Sequence, residues 1–200
     1  YLNLDLSYTP TSTANALLQV LRVFGNDMER VRIKMMSDFT TTDLVGNNVI
    51  YLGYLSGMQS LEDLMFAAST LAVGMTYDQL YNLDTNVAYT SSSGLSVGQA
   101  SYQDYGMLST FPSPDGNQYV LLAGMRDEGL INLAAEVSDL RELKALEQSV
   151  GVKADDSVEE GFEALFEVLG YDNTNFEAKR VFSNKLDTNV VWETRLIGIP

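Results

Sequence analysis

From Asp104 to Val137 the chain reads "DYGMLSTFPSPDGNQYVLLAGMRDEGLINLAAEV", and no other stretch constrains the fold as much. Two apolar segments, 104–111 and 118–124, flank "PSPDGN". The Pro, Asp and Gly of that spacer are strong turn formers, so the spacing predicts an antiparallel hairpin. Past Gly124, "EGLINLAAEVSD" places apolar residues at helical intervals. "LRELKALEQSVG" predicts a second helix directly after it. The order strand, glycine turn, helix is the junction at which many α/β proteins hold an anion, because a helix start carries free N–H groups and partial positive charge.

The flanking sequence carries more signals of the same kind. "LNLDLS" (2–7) alternates apolar and polar residues and predicts a strand. Pro10 and the hydroxyls of Thr11, Ser12 and Thr13 suit a helix start, followed by an apolar stripe through Leu17, Leu18, Leu21 and Phe24 to Gly25. "RVRIKMM" (30–36) alternates again, with Arg30, Arg32 and Lys34 on one face, as on a solvated edge strand. "NVIYLG" (48–53) is a compact buried strand ending in glycine, and "MQSLEDLMFAAS" (58–69) has helical spacing. "TYDQLYNL" reads as a short helix, "NVAYT" as a strand and "SSSGLSVGQAS" (91–101) as a loop. Residues 161–186 read as a hairpin turning at "DNTN", and "NVVWETRLIG" (189–198) as a last strand. The implied architecture is a single α/β domain over 1–200. Its core would be mainly parallel, Rossmann-like or flavodoxin-like and three-layered, with an antiparallel hairpin extension near the C-terminus. The start at Tyr1 rather than Met predicts a piece of a longer protein.

If the early strands are parallel, three turns gather at one sheet edge. The first runs from Ser7 to Thr13 and offers Thr9, Thr11, Ser12 and Thr13. The second is "GYLSGMQS", where Gly53, Ser56 and Gly57 admit close backbone approach. The third is Gly124 to Gly129, with Arg126 as a carboxylate or phosphate clamp. None of them is a P-loop or a GxGxxG fingerprint. No Lys or Arg lies between Lys34 and Arg126, and Asp127 and Glu128 already sit in the predicted first helical turn. The geometry suits an anion, but the charge is wrong for a nucleotide.

Composition removes several chemistries. Two hundred residues at 46% hydrophobic content suffice for a core. There is no His and no Cys, which excludes His-based triads, thiolate zinc sites and disulfides. Neither a cofactor nor a metal site is expected. Twelve basic residues against 27 acidic give a net charge of −15, which opposes nucleic-acid binding and contact with anionic lipid. No apolar run approaches the roughly 20 residues that span a bilayer. Lack of cysteine suits the cytosol, which is favoured, or the periplasm. The adjacent acids Glu62-Asp63, Asp155-Asp156 and Glu159-Glu160 do not face one another on a helix and read as solvated surface. Asp104, at a strand start after a flexible loop, is the acid to watch, either as a turn or cap residue or as a general base.

The segments "NVIYLG", 104–137 and "FEALFEVLGYDNTNFEAKRVF" (162–182) resemble a C-terminal α/β domain of some bacterial proteins, where it follows a helix-turn-helix or other N-terminal segment. The matching features are the strand ending in Gly53, Asp104-Tyr105-Gly106, the Ala-Gly pair at 123–124 and the late hairpin, which cover roughly half the chain loosely. Gly129-Leu130 stands where that domain would have Gly-Thr. The resemblance implies a sensory or regulatory accessory domain and transfers no catalytic residue. The leading expectation is therefore a non-catalytic domain of a larger bacterial regulatory protein that senses a small polar ligand or mediates an interaction. Thr9, Thr11, Ser12, Thr13, Gly53, Ser56, Gly57, Asp104 and Arg126 would lie at the site. The alternatives are a hydrolase or transferase acting on a small polar substrate through Asp104, and a structural domain that homodimerises through a sheet edge or the Trp192 strand.

Overall fold

A computed structural model describes residues 9–93, 101–151, 160–171 and 174–196. The strand expected at 2–7 and most of the loop expected at 91–101 lie outside them. Among the described residues there are six α-helices, α1 (Thr11–Phe24), α2 (Thr41–Leu44), α3 (Glu62–Phe66), α4 (Asp127–Ser138), α5 (Leu140–Val150) and α6 (Thr188–Leu196). A large sheet takes β1 (Val49–Tyr54), β5 (Ser101–Pro112), β6 (Gln118–Gly124), β7 (Gly161–Tyr171) and β8 (Thr174–Leu186) in the order β1-β6-β5-β7-β8. A second, three-stranded sheet is made of β2 (Leu71–Val73), β3 (Gln79–Asn82) and β4 (Ala88–Thr90).

Among the described residues only β1 and β6 are parallel, and every other pairing in both sheets is antiparallel. This overturns the expected mainly parallel, Rossmann-like core. The physical reason lies in the connections. A parallel neighbour requires a crossover of a dozen or more residues, whereas short turns force antiparallel pairing. The "PSPDGN" turn joins β5 to β6 in register from Gly106↔Gly124 to Pro112↔Gln118, as expected. The late hairpin also forms, with Gly161 opposite Leu186 and irregularities after Leu165 and Leu169.

Each face of the large sheet has its own apolar core. Leu108, Leu122, Phe162, Ala164 and Phe166 meet Ala16 and Val20 of α1, Leu130, Leu133 and Ala134 of α4, and Leu146 of α5. On the opposite face Tyr51, Met107, Phe111, Leu121 and Leu165 meet Leu64 and Met65 of α3, Leu71 and Leu80 of the small sheet, and Val191 of α6. The period-two alternation of β7 therefore separates two buried faces, not a buried face from a wet one.

Three local expectations fail. Residues 31–35 of "RVRIKMM" belong to no strand, and Ile33 is exposed. Alternation alone does not make a strand where no neighbour supplies a ladder. "TYDQLYNL" forms a turn and β3, because Leu80 and Asn82 alternate inward onto the core. "NVVWETRLIG" is helical over Thr188–Leu196. There Asp187 accepts from the Asn189 N–H, and Trp192 Nε1 donates to the Pro112 carbonyl at 3.0 Å. The Trp192 ring packs edge-on against Phe111 and Tyr119.

Candidate functional site

The parallel pair β1 and β6 ends at one edge of the large sheet, with Gly53 opposite Ala123 and Tyr54 opposite Gly124. β5 begins at the same edge, and α4 starts directly above it. Gly129 sits in the first turn of α4 against the β5 backbone. A Cβ on Gly129 would stand 2.1 Å from the Tyr105 carbonyl oxygen, and one on Gly106 would stand 2.4 Å from the Gly129 carbonyl oxygen. Two facing glycines thus allow the helix to rest on the strand.

Asp104 locks this contact. One carboxylate oxygen accepts from the Gly129 N–H at 2.7 Å, which caps α4 from another element. The other accepts from Ser91 Oγ and from the Tyr105 N–H, both at 2.8 Å. The side chain is 0% exposed. Burial pushes its pKa up to about 6, against the lowering by the Gly129, Ser91 and Tyr105 donors. A raised pKa inside a protein is a mark of acid–base groups. Here, however, three donors from the protein already occupy the carboxylate and no face of it meets solvent. The arrangement suits an internal cap and not a general base.

The remaining first-turn groups of α4 are matched in the same way. Tyr54 Oη donates to Asp127 and lies 2.6 Å from Ser12 Oγ. Burial raises the Tyr54 pKa, and Asp127 adds to the rise. Ser93 Oγ donates to Glu128 at 2.9 Å. Arg126 is the N-cap residue of α4 and reaches outward to the small sheet, where Nε and Nη2 clasp the two oxygens of Asp78 at 2.5 and 2.6 Å. The hydrogen bond to Asp78 raises the Arg126 pKa further. Its side chain is about half exposed, at 45%.

The candidate residues therefore divide. Ser12, Gly53, Asp104 and Arg126 do converge on this edge, linked through Tyr54, Asp127 and Gly129. Thr9 is exposed and, among the described residues, its hydroxyl reaches only Met35 Sδ, at 3.9 Å. Thr11 is exposed and Thr13 half-buried on α1. Ser56 is exposed, and the turn at Gly53 and Gly57 is filled by a side chain. The Tyr51 hydroxyl lies 2.7 Å from where a Gly53 Cβ would stand and 3.1 Å from a Gly57 Cβ, and it donates to the Tyr54 carbonyl at 2.6 Å. Those glycines make room for Tyr51.

Two acids of β7 escaped the sequence reading because they alternate with apolar residues as surface positions do. Glu163 is 0% exposed, held by Ser69 Oγ and the Thr70 N–H, and burial raises its pKa. Burial also opposes ionisation of Glu167. Lys179 at 2.8 Å, with Gln103 and Tyr105, nonetheless holds that carboxyl below its ordinary value. Glu163 ties the large sheet to the segment before β2, and Glu167 ties β7 to β5 and β8 within the sheet. Among the described residues no three His, Cys, Asp or Glu side chains are grouped to hold a metal ion.

Comparison with known proteins yields no relative: no family model, curated protein or solved structure matches the chain.

Proposed function

We propose that this chain is a non-catalytic sensing domain that answers to a small carboxylate-bearing molecule at the end of β6. The observation that carries the reading is the Arg126–Asp78 fork. Bidentate pairing of guanidinium and carboxylate is a geometrically specific form of acid recognition, and Asp78 is the internal stand-in for the ligand. The pair is partly exposed, so a soluble carboxylate has access to it. It also joins the turn before β3 to the helix start above β6, two parts of the chain separated by 48 residues. Displacing Asp78 would free the small sheet from the edge and convert ligand binding into a change of shape. The internal engagement of Asp104 supports a site that binds and does not turn over.

Thermal-shift titration with a panel of mono- and dicarboxylates tests this reading. A tethered carboxylate competes at an effective concentration on the order of millimolar. Asp78→Asn is therefore expected to strengthen the response about tenfold or more, and Arg126→Ala to abolish it. A response that ignores Arg126, or one that weakens in Asp78→Asn, overturns the reading. A second reading, an interaction domain, is favoured by the apolar tips of the small sheet, where Met75, Leu83 and Val87 are 97%, 60% and 46% exposed. Silence to every carboxylate together with a melting temperature that rises with protein concentration would establish it instead.

A further inference from the structure

A second hollow lies on the helix side of the sheet, between the α4–α5 pair and the β7–β8 hairpin. Its volume is about 340 Å³, within the range of small-molecule sites. Val137, Leu143, Leu146 and Phe166 form an apolar floor. Its charged groups are separated by sign. Glu136 and Glu142 come from the helices, and Arg180 comes from β8, where it lies opposite Phe166 in the ladder. Among the described residues neither Glu136 nor Arg180 forms an ion pair, and Arg180 donates only to the Ser149 hydroxyl. Lys179 also borders the hollow, but its ammonium is already held by Glu167. Burial raises the pKa of Glu136, and Glu142 and Asp139 raise it further, so a cation beside it would relieve an existing electrostatic strain.

We propose that this cleft binds a free α-amino acid with an apolar side chain. Its ammonium would meet Glu136 and Glu142, its carboxylate the Arg180 guanidinium, and its side chain the floor made by Phe166, Leu143 and Leu146. A ligand with one charge satisfies only one wall, and a wholly polar zwitterion leaves the floor uncovered. The cleft is separate from the Arg126–Asp78 fork, and the proposal does not depend on that reading.

Calorimetric titration of the 1–200 chain with L-leucine tests it, alongside isopentylamine, which lacks the carboxylate, and isocaproate, which lacks the ammonium. Leucine is expected to bind at least about tenfold more tightly than either analogue, since a hydrogen-bonded charge contributes on that scale. Glu136→Gln should weaken leucine and leave isocaproate unchanged. Arg180→Gln should weaken leucine and leave isopentylamine unchanged. Arg126→Ala should leave all three unchanged. Both cleft substitutions lie outside the apolar core, and near-ultraviolet circular dichroism checks that the fold is intact. No leucine binding at millimolar concentration, or losses that do not sort by charge in this way, would overturn the proposal.

Discussion

At the strand-end edge, each charged group of the first turn of α4 is matched from within: Arg126 by Asp78, Asp127 by Tyr54, Glu128 by Ser93, and the Gly129 N–H by Asp104. In the α4–α5 cleft, Glu136 stands over an apolar floor without such a partner among the described residues, and Arg180 meets the Ser149 hydroxyl and no carboxylate. The edge is where the ends of parallel strands and a helix start make a ligand site expected. Yet the chain spends those very groups on holding two sheets and a helix together. The cleft borders the first turn of α5 through Glu142, a helix start whose cap is already supplied by Asp139, and it keeps charge and apolar surface in reserve. A helix N-terminus is thus an opportunity that the protein's own side chains can fill. A ligand at the edge must displace an internal partner such as Asp78, whereas one in the cleft would meet charge that no internal carboxylate or ammonium holds among the described residues.

The most forceful way to break this contrast is Gly129→Ala. At an ordinary helix position, Gly to Ala stabilises by up to about 1 kcal/mol. Here the new Cβ would stand 2.1 Å from the Tyr105 carbonyl oxygen, a backbone atom that cannot swing away. Helix and strand must part, and the Asp104 cap is lost with them. The expected loss is about 3 kcal/mol or more, read from the urea midpoint. An unchanged or higher midpoint would mean that α4 does not rest on β5 and that the edge is not a structural lock.

Asp104→Asn probes the same lock through pH. The folded pKa of Asp104, about 6, lies above its ordinary 3.8. Below about pH 4 both folded and unfolded states hold the proton, and the carboxyl imposes no penalty. Between about pH 4 and pH 6 the unfolded chain releases its proton first, so the folded state binds more protons and stability falls as pH rises. Above that window the penalty is constant at roughly 3 kcal/mol. Asn does not titrate, although its amide places a donor against the Ser91 side or the Gly129 side, at a steady cost of about 1–3 kcal/mol. Wild-type stability minus Asp104→Asn stability should therefore decline by roughly 3 kcal/mol across the window and stay level beyond it. A difference that rises with pH would show that the three donors outweigh burial, and the edge would then hold a stabilised anion.

What the sequence made legible follows the same division between local and distant. The β5–β6 hairpin, both central helices and the β7–β8 hairpin rest on turn residues and periodicity within a few positions, and all four are present. Strand direction depends on which segments neighbour one another, and "NVIYLG" gives no sign that β6, some seventy residues on, is its only parallel partner among the described strands. Of the small sheet, β4 was legible in "NVAYT", whereas β2 and β3, three and four residues long, were hidden. Asp104 and Arg126 stood out as isolated charges beside glycine turns. Their partners Gly129, Ser91 and Asp78 could not be assigned, since each lies 13 to 48 residues away. Glu163 looked like a surface residue because the cover over its face comes from Ser69 and Thr70 in another part of the chain.

The smallest expected effect bears on the cleft. Removing a charge from the edge should unfasten something, whereas removing one from the cleft should relieve the fold. Glu136 is partly buried and surrounded by Glu142 and Asp139, so its ionised form is disfavoured in the folded chain and its pKa is raised. A raised carboxyl pKa is harmless below the unfolded value and subtracts stability as pH climbs through the folded one. Glu136→Gln keeps the shape and discards the charge. It should raise the melting temperature slightly near pH 7, by a stability gain below about 0.5 kcal/mol, and give no gain near pH 4. The expected sign at neutral pH is opposite to that for Asp78→Asn, which removes the carboxylate that Arg126 clasps. Loss of stability in Glu136→Gln at neutral pH would mean that a partner already satisfies the carboxylate, and the cleft would then hold no charge in reserve for a ligand's ammonium.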